Sequence, residues 1–194
     1  MRLLLNELRF ILAFMLLLTG SVVYGQGVQD RPSTGVTRRQ LSASGFETGT
    51  NLAASLDQAP DHKTFQQLLH AAGLDKKARR KGQYTVFAPT DAAFSTLSTD
   101  FLSELLLPAS KQRLIDFIAF HVVKGRITSD LLQDGEQLTN LTGDILVVHK
   151  KDNTITIRDG RGNVADVIQP DIRATNGVVY TINKVLRRAG NTVN

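Results

Sequence analysis

The hydrophobic period changes once along the chain, and that change limits the fold more than any other feature. Between residues 51 and 121 apolar residues recur at helical spacing. Leu52, Leu56 and Ala59 share a face, and Pro60-Asp61 breaks and restarts the chain. Phe65, Leu68, Leu69 and Ala72 follow at i, i+3, i+4 and i+7, with Gly73 as a stop. Phe94, Leu97, Phe101 and Leu105 form another stripe, divided at Ser98-Thr99-Asp100, and Pro108 opens a helix carrying Leu114, Phe117, Ile118 and His121 on one face. From Gly135 onward the period is two. Ile145-Leu146-Val147-Val148 is a short apolar run, and Thr154-Ile155-Thr156-Ile157-Arg158 alternates, with Ile155 and Ile157 facing a core. Residues 164–168 and 178–182 read as further strands, with Asp159-Gly160-Arg161-Gly162-Asn163 as a turn. Helices first and strands later predict an α+β domain with an antiparallel sheet.

The N-terminus is set apart before fold reasoning. Arg2 and Arg9 flank a basic start, residues 10–18 are an unbroken apolar run, and Val23-Tyr24-Gly25 precedes an expected cleavage. A nine-residue run suits a secretory leader, since a membrane span needs about 20 residues. The alternative is an uncleaved anchor. Residues 26–50 read as a flexible linker, 51–188 as the domain and 189–194 as a tail. The makeup of the leader points to a bacterial chain, secreted or periplasmic. No cysteine is present, which excludes disulfides and thiolate chemistry. Net charge is +5, and loss of Arg2, Arg9 and Glu7 with the leader lowers it to +4, a modest bias toward anionic neighbours.

Two segments carry a resemblance. Tyr84-Thr85-Val86-Phe87-Ala88-Pro89-Thr90-Asp91-Ala92-Ala93-Phe94 resembles the first motif of the fasciclin domain family, and Ala174-Thr175-Asn176-Gly177-Val178-Val179-Tyr180-Thr181-Ile182-Asn183-Lys184-Val185-Leu186 resembles the second. Phe120-His121-Val122-Val123 is similar to a third segment, with Phe120 where the family usually has tyrosine. The resemblance implies a fasciclin-like fold of helices packed on a β-sheet wedge or sandwich. It also implies a binding or adhesion role in cell-surface, matrix or envelope contacts, with protein or glycan partners.

The motif residues also have local readings. Thr85 and Phe87 suit a central strand ended by Pro89, and Thr90 or Asp91 suits a helix cap before Phe94. Asn176-Gly177 suits a tight turn of positive φ. The two motifs are expected to share one interior. The resemblance implies that His121 holds the first motif in place, through polar groups of the Thr90-Asp91 turn. In animal adhesion members the segment matched by Gln169-Pro170-Asp171-Ile172 is linked to integrin contact. Pro170, Asp171 and Ile172 are therefore the candidate binding residues, although Gln169 replaces an acidic residue. The alternative is that they serve the sheet and its turn.

Other chemistry is sparse. Lys76-Lys77-Ala78-Arg79-Arg80-Lys81 holds five basic residues in six. It reads either as a site for an anionic ligand or as a solvated turn opposing a helix dipole. His62 and His70 read as surface residues, and no His-Glu-x-x-His, calcium loop or Gly-x-Ser-x-Gly elbow is present. Catalytic residues, metal and cofactor are thus not expected. The low aromatic share argues against nucleic-acid partners. Asn140-Leu141-Thr142 is a glycosylation sequon. A small-ligand or lipid carrier is the rival to the binding module, and an enzyme comes third.

Overall fold

The computed structural model describes residues 45–189. The expected leader and most of the expected linker lie outside the described residues, as do residues 190–194. Within them the strands are β1 (Phe46–Glu47), β2 (Tyr84–Pro89), β3 (Val122–Lys124), β4 (Gln137–Thr139), β5 (Ile145–Lys151), β6 (Thr154–Arg158), β7 (Val164–Ala174) and β8 (Gly177–Ile182). The helices are α1 (Leu52–Asp57), α2 (Lys63–Ala72), α3 (Asp75–Ala78), α4 (Asp91–Phe94), α5 (Thr99–Leu105) and α6 (Lys111–Phe120), with a 3-10 turn at Pro108–Ser110. This is an α+β fold.

Local chemistry accounts for the helix ends. Asn51, Thr90 and Ser98 cap α1, α4 and α5 by accepting from the N–H groups of Ala54, Ala93 and Phe101. Gly73 ends α2 in the left-handed conformation, with φ of 71°. Ser98 is the point at which the long apolar stripe divides.

The strands run in the order β3-β2-β8-β7-β6-β5-β4, and β1 adds to β7. A bridge between Val123 and Asn140 brings the two ends of this order together, so the sheet nearly closes into a barrel. The pairing corrects the expectation of an antiparallel sheet. The two motif strands, β2 and β8, lie parallel from Tyr84–Gly177 to Pro89–Ile182. The intervening chain, with α4 to α6 and strands β3 to β7, is a crossover long enough to bring β8 back in the same direction. Phe46 and Glu47 also differ from the expected linker, because they pair in parallel with Ile172 and Arg173.

Both faces of the motif strands are buried. Val86, Ala88 and Val179 face the helices, in a cluster with Phe65, Leu68 and Ile118. Phe87, Val178, Tyr180 and Ile182 face the barrel interior, with Leu146 and Ile157. Period-two alternation thus feeds two cores from one strand pair. Burying a side chain such as Phe87, which is fully enclosed, is worth about 2–3 kcal/mol. The alternation read in Ile155 and Ile157 places both in the barrel core.

Candidate functional site

The first motif ends in a corner where three elements meet. Thr90 caps its own helix, α4, whereas Asp91 caps a different one. The Asp91 carboxylate accepts from the N–H groups of Thr64 at 2.7 Å and Lys63 at 3.3 Å, at the start of α2. Burial would raise this carboxyl, but those N–H groups, the Thr64 hydroxyl and the neighbouring His62 outweigh it and hold the group below its usual range.

His62, expected on the surface, is buried at the same corner. Its Nδ1 donates to the Pro89 carbonyl at 2.9 Å, and its Nε2 lies in hydrogen-bond range of the Thr181 hydroxyl at 3.2 Å. The carbonyl has no proton to give, so Nδ1 carries a hydrogen. It thereby ties the end of the first motif strand, at Pro89, to the second motif at Thr181.

His121 lies elsewhere. It is buried in contact with Phe65, Phe117 and Phe120. Its Nδ1 donates to the Phe117 carbonyl at 2.9 Å, and its Nε2 accepts the Leu186 N–H at 3.1 Å. It therefore joins the end of α6 to the end of the second motif and makes no bond to the Thr90–Asp91 turn. Burial pushes its imidazole down to about 4.

Asn176 and Gly177 meet Tyr84 at the opposite end of the strand pair from Pro89. Neither has a positive φ, which corrects the expected turn geometry. Glycine is required at 177 for space instead. A Cβ there would collide with the Tyr84 carbonyl oxygen and lie 2.9 Å from Leu52 Cδ1. The Asn176 amide accepts the Leu52 N–H at 2.8 Å and donates to the carbonyls of Ala78 and Arg80 at 2.8 and 2.9 Å. One buried side chain thus caps α1 and pins the basic segment.

Asp171 is buried, whereas Pro170 and Ile172 are half-buried. Asp171 takes φ of 55° where the β7–β8 register shifts, which turns its carboxylate inward. There it accepts from the N–H and hydroxyl of Ser129, and it lies 3.3 Å from the Tyr180 hydroxyl. Tyr180 donates to the Ile127 carbonyl, and Thr85 donates to Gly125 and accepts from Ile127. Burial, then the Asp171 charge, pushes the Tyr180 phenol up. Thr85, Asp171 and Tyr180 together anchor the loop between β3 and β4. The Asp171 carboxylate is thus committed to hydrogen bonds within the scaffold.

Asn140 is likewise occupied. Its amide donates to the Phe120 carbonyl and accepts from Thr142 and Asp144 at 2.7–3.0 Å. With 4% exposure, the sequon is closed to modification in the folded chain.

Among the described residues, the surface carries two clefts of note. The larger, of 540 Å³, lies between α5, α6 and the segment after β8. Phe101 forms part of its wall, with the guanidinium groups of Arg113 and Arg187 5.6 and 5.8 Å from the ring centre. Arg188 and Asp116 also line it. Arg113 pairs with Glu104 at 2.8 Å and Arg188 with Asp144 at 3.0 Å. The smaller cleft, of 250 Å³, is apolar and lies between α1–α3 and α6. The carrier alternative raised an apolar pocket without placing it, and sequence reasoning missed the larger cleft, because Phe101 and Arg187 are 86 positions apart and only the fold unites them.

Comparison with protein families matches residues 60–188 to the fasciclin domain. Protein sll1483 of Synechocystis sp. is 35% identical over 151 residues, which cover 76% of this chain and 81% of that protein. The transforming growth factor-beta-induced protein ig-h3 of Sus scrofa is 37% identical over 123 residues, covering 63% of this chain but 17% of its own length. Among solved structures, a FAS1 domain pair from the insect cell adhesion molecule Fasciclin I matches with a TM-score of 0.50 and 22% identity, over 68% of this chain and 46% of that one. This last likeness shows the fold.

Proposed function

Because this chain belongs to the fasciclin family, we propose that it is an extracytoplasmic binding module making adhesion-type contacts with a protein or glycan at a cell surface, envelope or matrix. The leader-like run at residues 10–18 supports export. The insect neighbour is itself described as a cell adhesion molecule.

The observation that carries the reading is the arginine-lined cleft. Arg113 and Arg187 flank the half-buried Phe101 ring, a platform suited to a partner that offers both an apolar face and a carboxylate or sulfate. A planar guanidinium binds such an oxyanion through two parallel hydrogen bonds. Exchanging Glu104 for a partner's anion costs little, since exposed ion pairs contribute about 0–1 kcal/mol. The module works without catalysis in this reading. Among the described residues, the enclosed titratable groups His62, His121, Asp159, Asp171 and Tyr180 all hold structural hydrogen bonds.

Immobilised acidic glycans and surface-protein extracts should retain the wild-type chain and lose most of an Arg113→Ala/Arg187→Ala double variant of unchanged melting temperature. Equal retention of both proteins would remove the cleft from the reading. A turnover abolished by one polar substitution would replace the reading with an enzyme.

A further inference from the structure

The smaller cleft has a different chemistry. Phe65 and Val86 contribute to its surface beside Leu56 of α1 and Ile115 of α6, and Lys77 is its one charged lining residue. It forms because α2 packs on α6, whereas α1 and α3 pack on α2 and on one another. Among the described residues, no side chain fills the space between these groups.

Lys77 belongs to the basic run 76–81, in which Lys76, Lys77, Arg79, Arg80 and Lys81 are all exposed. Among the described residues, the run's one ion pair joins Arg79 to Asp57 at 3.1 Å. The run is not a loose loop. Asn176 holds the carbonyls of Ala78 and Arg80 from within the core, so the backbone that carries Lys77 is held in place beside the cleft. An apolar trough with one cation at its edge complements a molecule with one apolar tail and one anionic head. At 250 Å³ the cleft lies just below the roughly 300–1,000 Å³ of sites for drug-sized ligands, a scale that suits a short single chain.

We propose that this cleft binds a free single-chain anionic amphiphile of fatty-acid type, its tail between α1 and α6 and its carboxylate at Lys77. This site does not depend on the adhesion reading, since it shares no residue with the arginine-lined cleft.

Titration of the purified full chain with decanoate, followed by methyl NMR, tests it. Decanoate shifts the methyl groups of Leu56, Leu69 and Ile115 in a saturable manner. Lys77→Gln weakens decanoate about 1.5-fold to fivefold, the range for one solvent-exposed charge contact, and leaves decanol binding unchanged. Ala119→Leu, which fills the cleft from α6, weakens both ligands, with thermal unfolding confirming that the variant is folded. Absence of methyl shifts in the wild-type chain up to about 1 mM decanoate overturns the site whatever the variants do. Equal decanoate affinity of wild type and Lys77→Gln also overturns it. So does binding confined to phosphatidylglycerol vesicles, which would assign the basic run to a membrane surface.

Discussion

The Leu186 N–H donates to Nε2 of His121 at 3.1 Å, joining residues 65 positions apart. The bond requires a bare Nε2, so the folded chain holds His121 in a single neutral tautomer with its hydrogen on Nδ1. A proton on Nε2 would face the Leu186 N–H inside the core.

Stability should therefore depend on pH through His121. Burial lowers its pKa to about 4, from an ordinary 6.5. The unfolded chain takes up this proton as pH falls below 6.5, whereas the folded chain resists it until about 4. The contribution is complete above pH 6.5 and is lost progressively toward pH 4, reaching about 3 kcal/mol there. Urea unfolding at pH 7 and pH 4.5 measures it. His121→Gln should be less stable at pH 7 and show a shallower pH slope. Parallel slopes for the two proteins would refute the assignment.

Asp91→Ala should destabilise the chain by about 1–2 kcal/mol through loss of the α2 cap. The folded carboxyl is held below 3.8, so its contribution is present above that pH and lost as pH falls through the folded value. Hydrogen exchange at Thr64 should accelerate, while α4, capped by Thr90, stays protected. Uniform acceleration in both helices would show that the cap is not local.

Asn176→Ala removes three hydrogen bonds at once and strands the Leu52 N–H beneath α1. A cost of about 2–4 kcal/mol is expected from the unsatisfied buried groups. Gly177→Ala should cost at least as much, by collision with the Tyr84 carbonyl. Thermal unfolding reads both. A melting temperature within about 1 °C of wild type for either, where a kilocalorie shifts it by about 2–8 °C, would contradict the packing of the two motifs.

Asp171→Ala separates scaffold from contact. Loss of the buried acceptor frees Ser129 and leaves Tyr180 a single partner, loosening the β3–β4 loop at a cost of about 1–3 kcal/mol. Any loss of partner binding should follow the folded fraction and recover on cooling or with a stabilising osmolyte. Binding lost from a fully folded variant would make Asp171 a direct contact.

The sequence by itself determined the helical stripes, the alternating strands, the division at Ser98-Thr99-Asp100, the stop at Gly73 and the two motifs as the heart of the domain. These rest on spacing and on side-chain chemistry within a few residues, which a linear reading contains. Only the tertiary structure decided that β2 and β8 run parallel, that Asp91 caps α2, that Asn176 pins the basic run and that Asp171 turns inward. It also exchanged the two histidines: His62 reaches partners 27 and 119 positions away, and His121 takes up a post at Leu186. A hydrogen bond is satisfied by whichever group folding brings within about 3 Å, and that identity is a property of the assembled sheet and helices rather than of any local pattern.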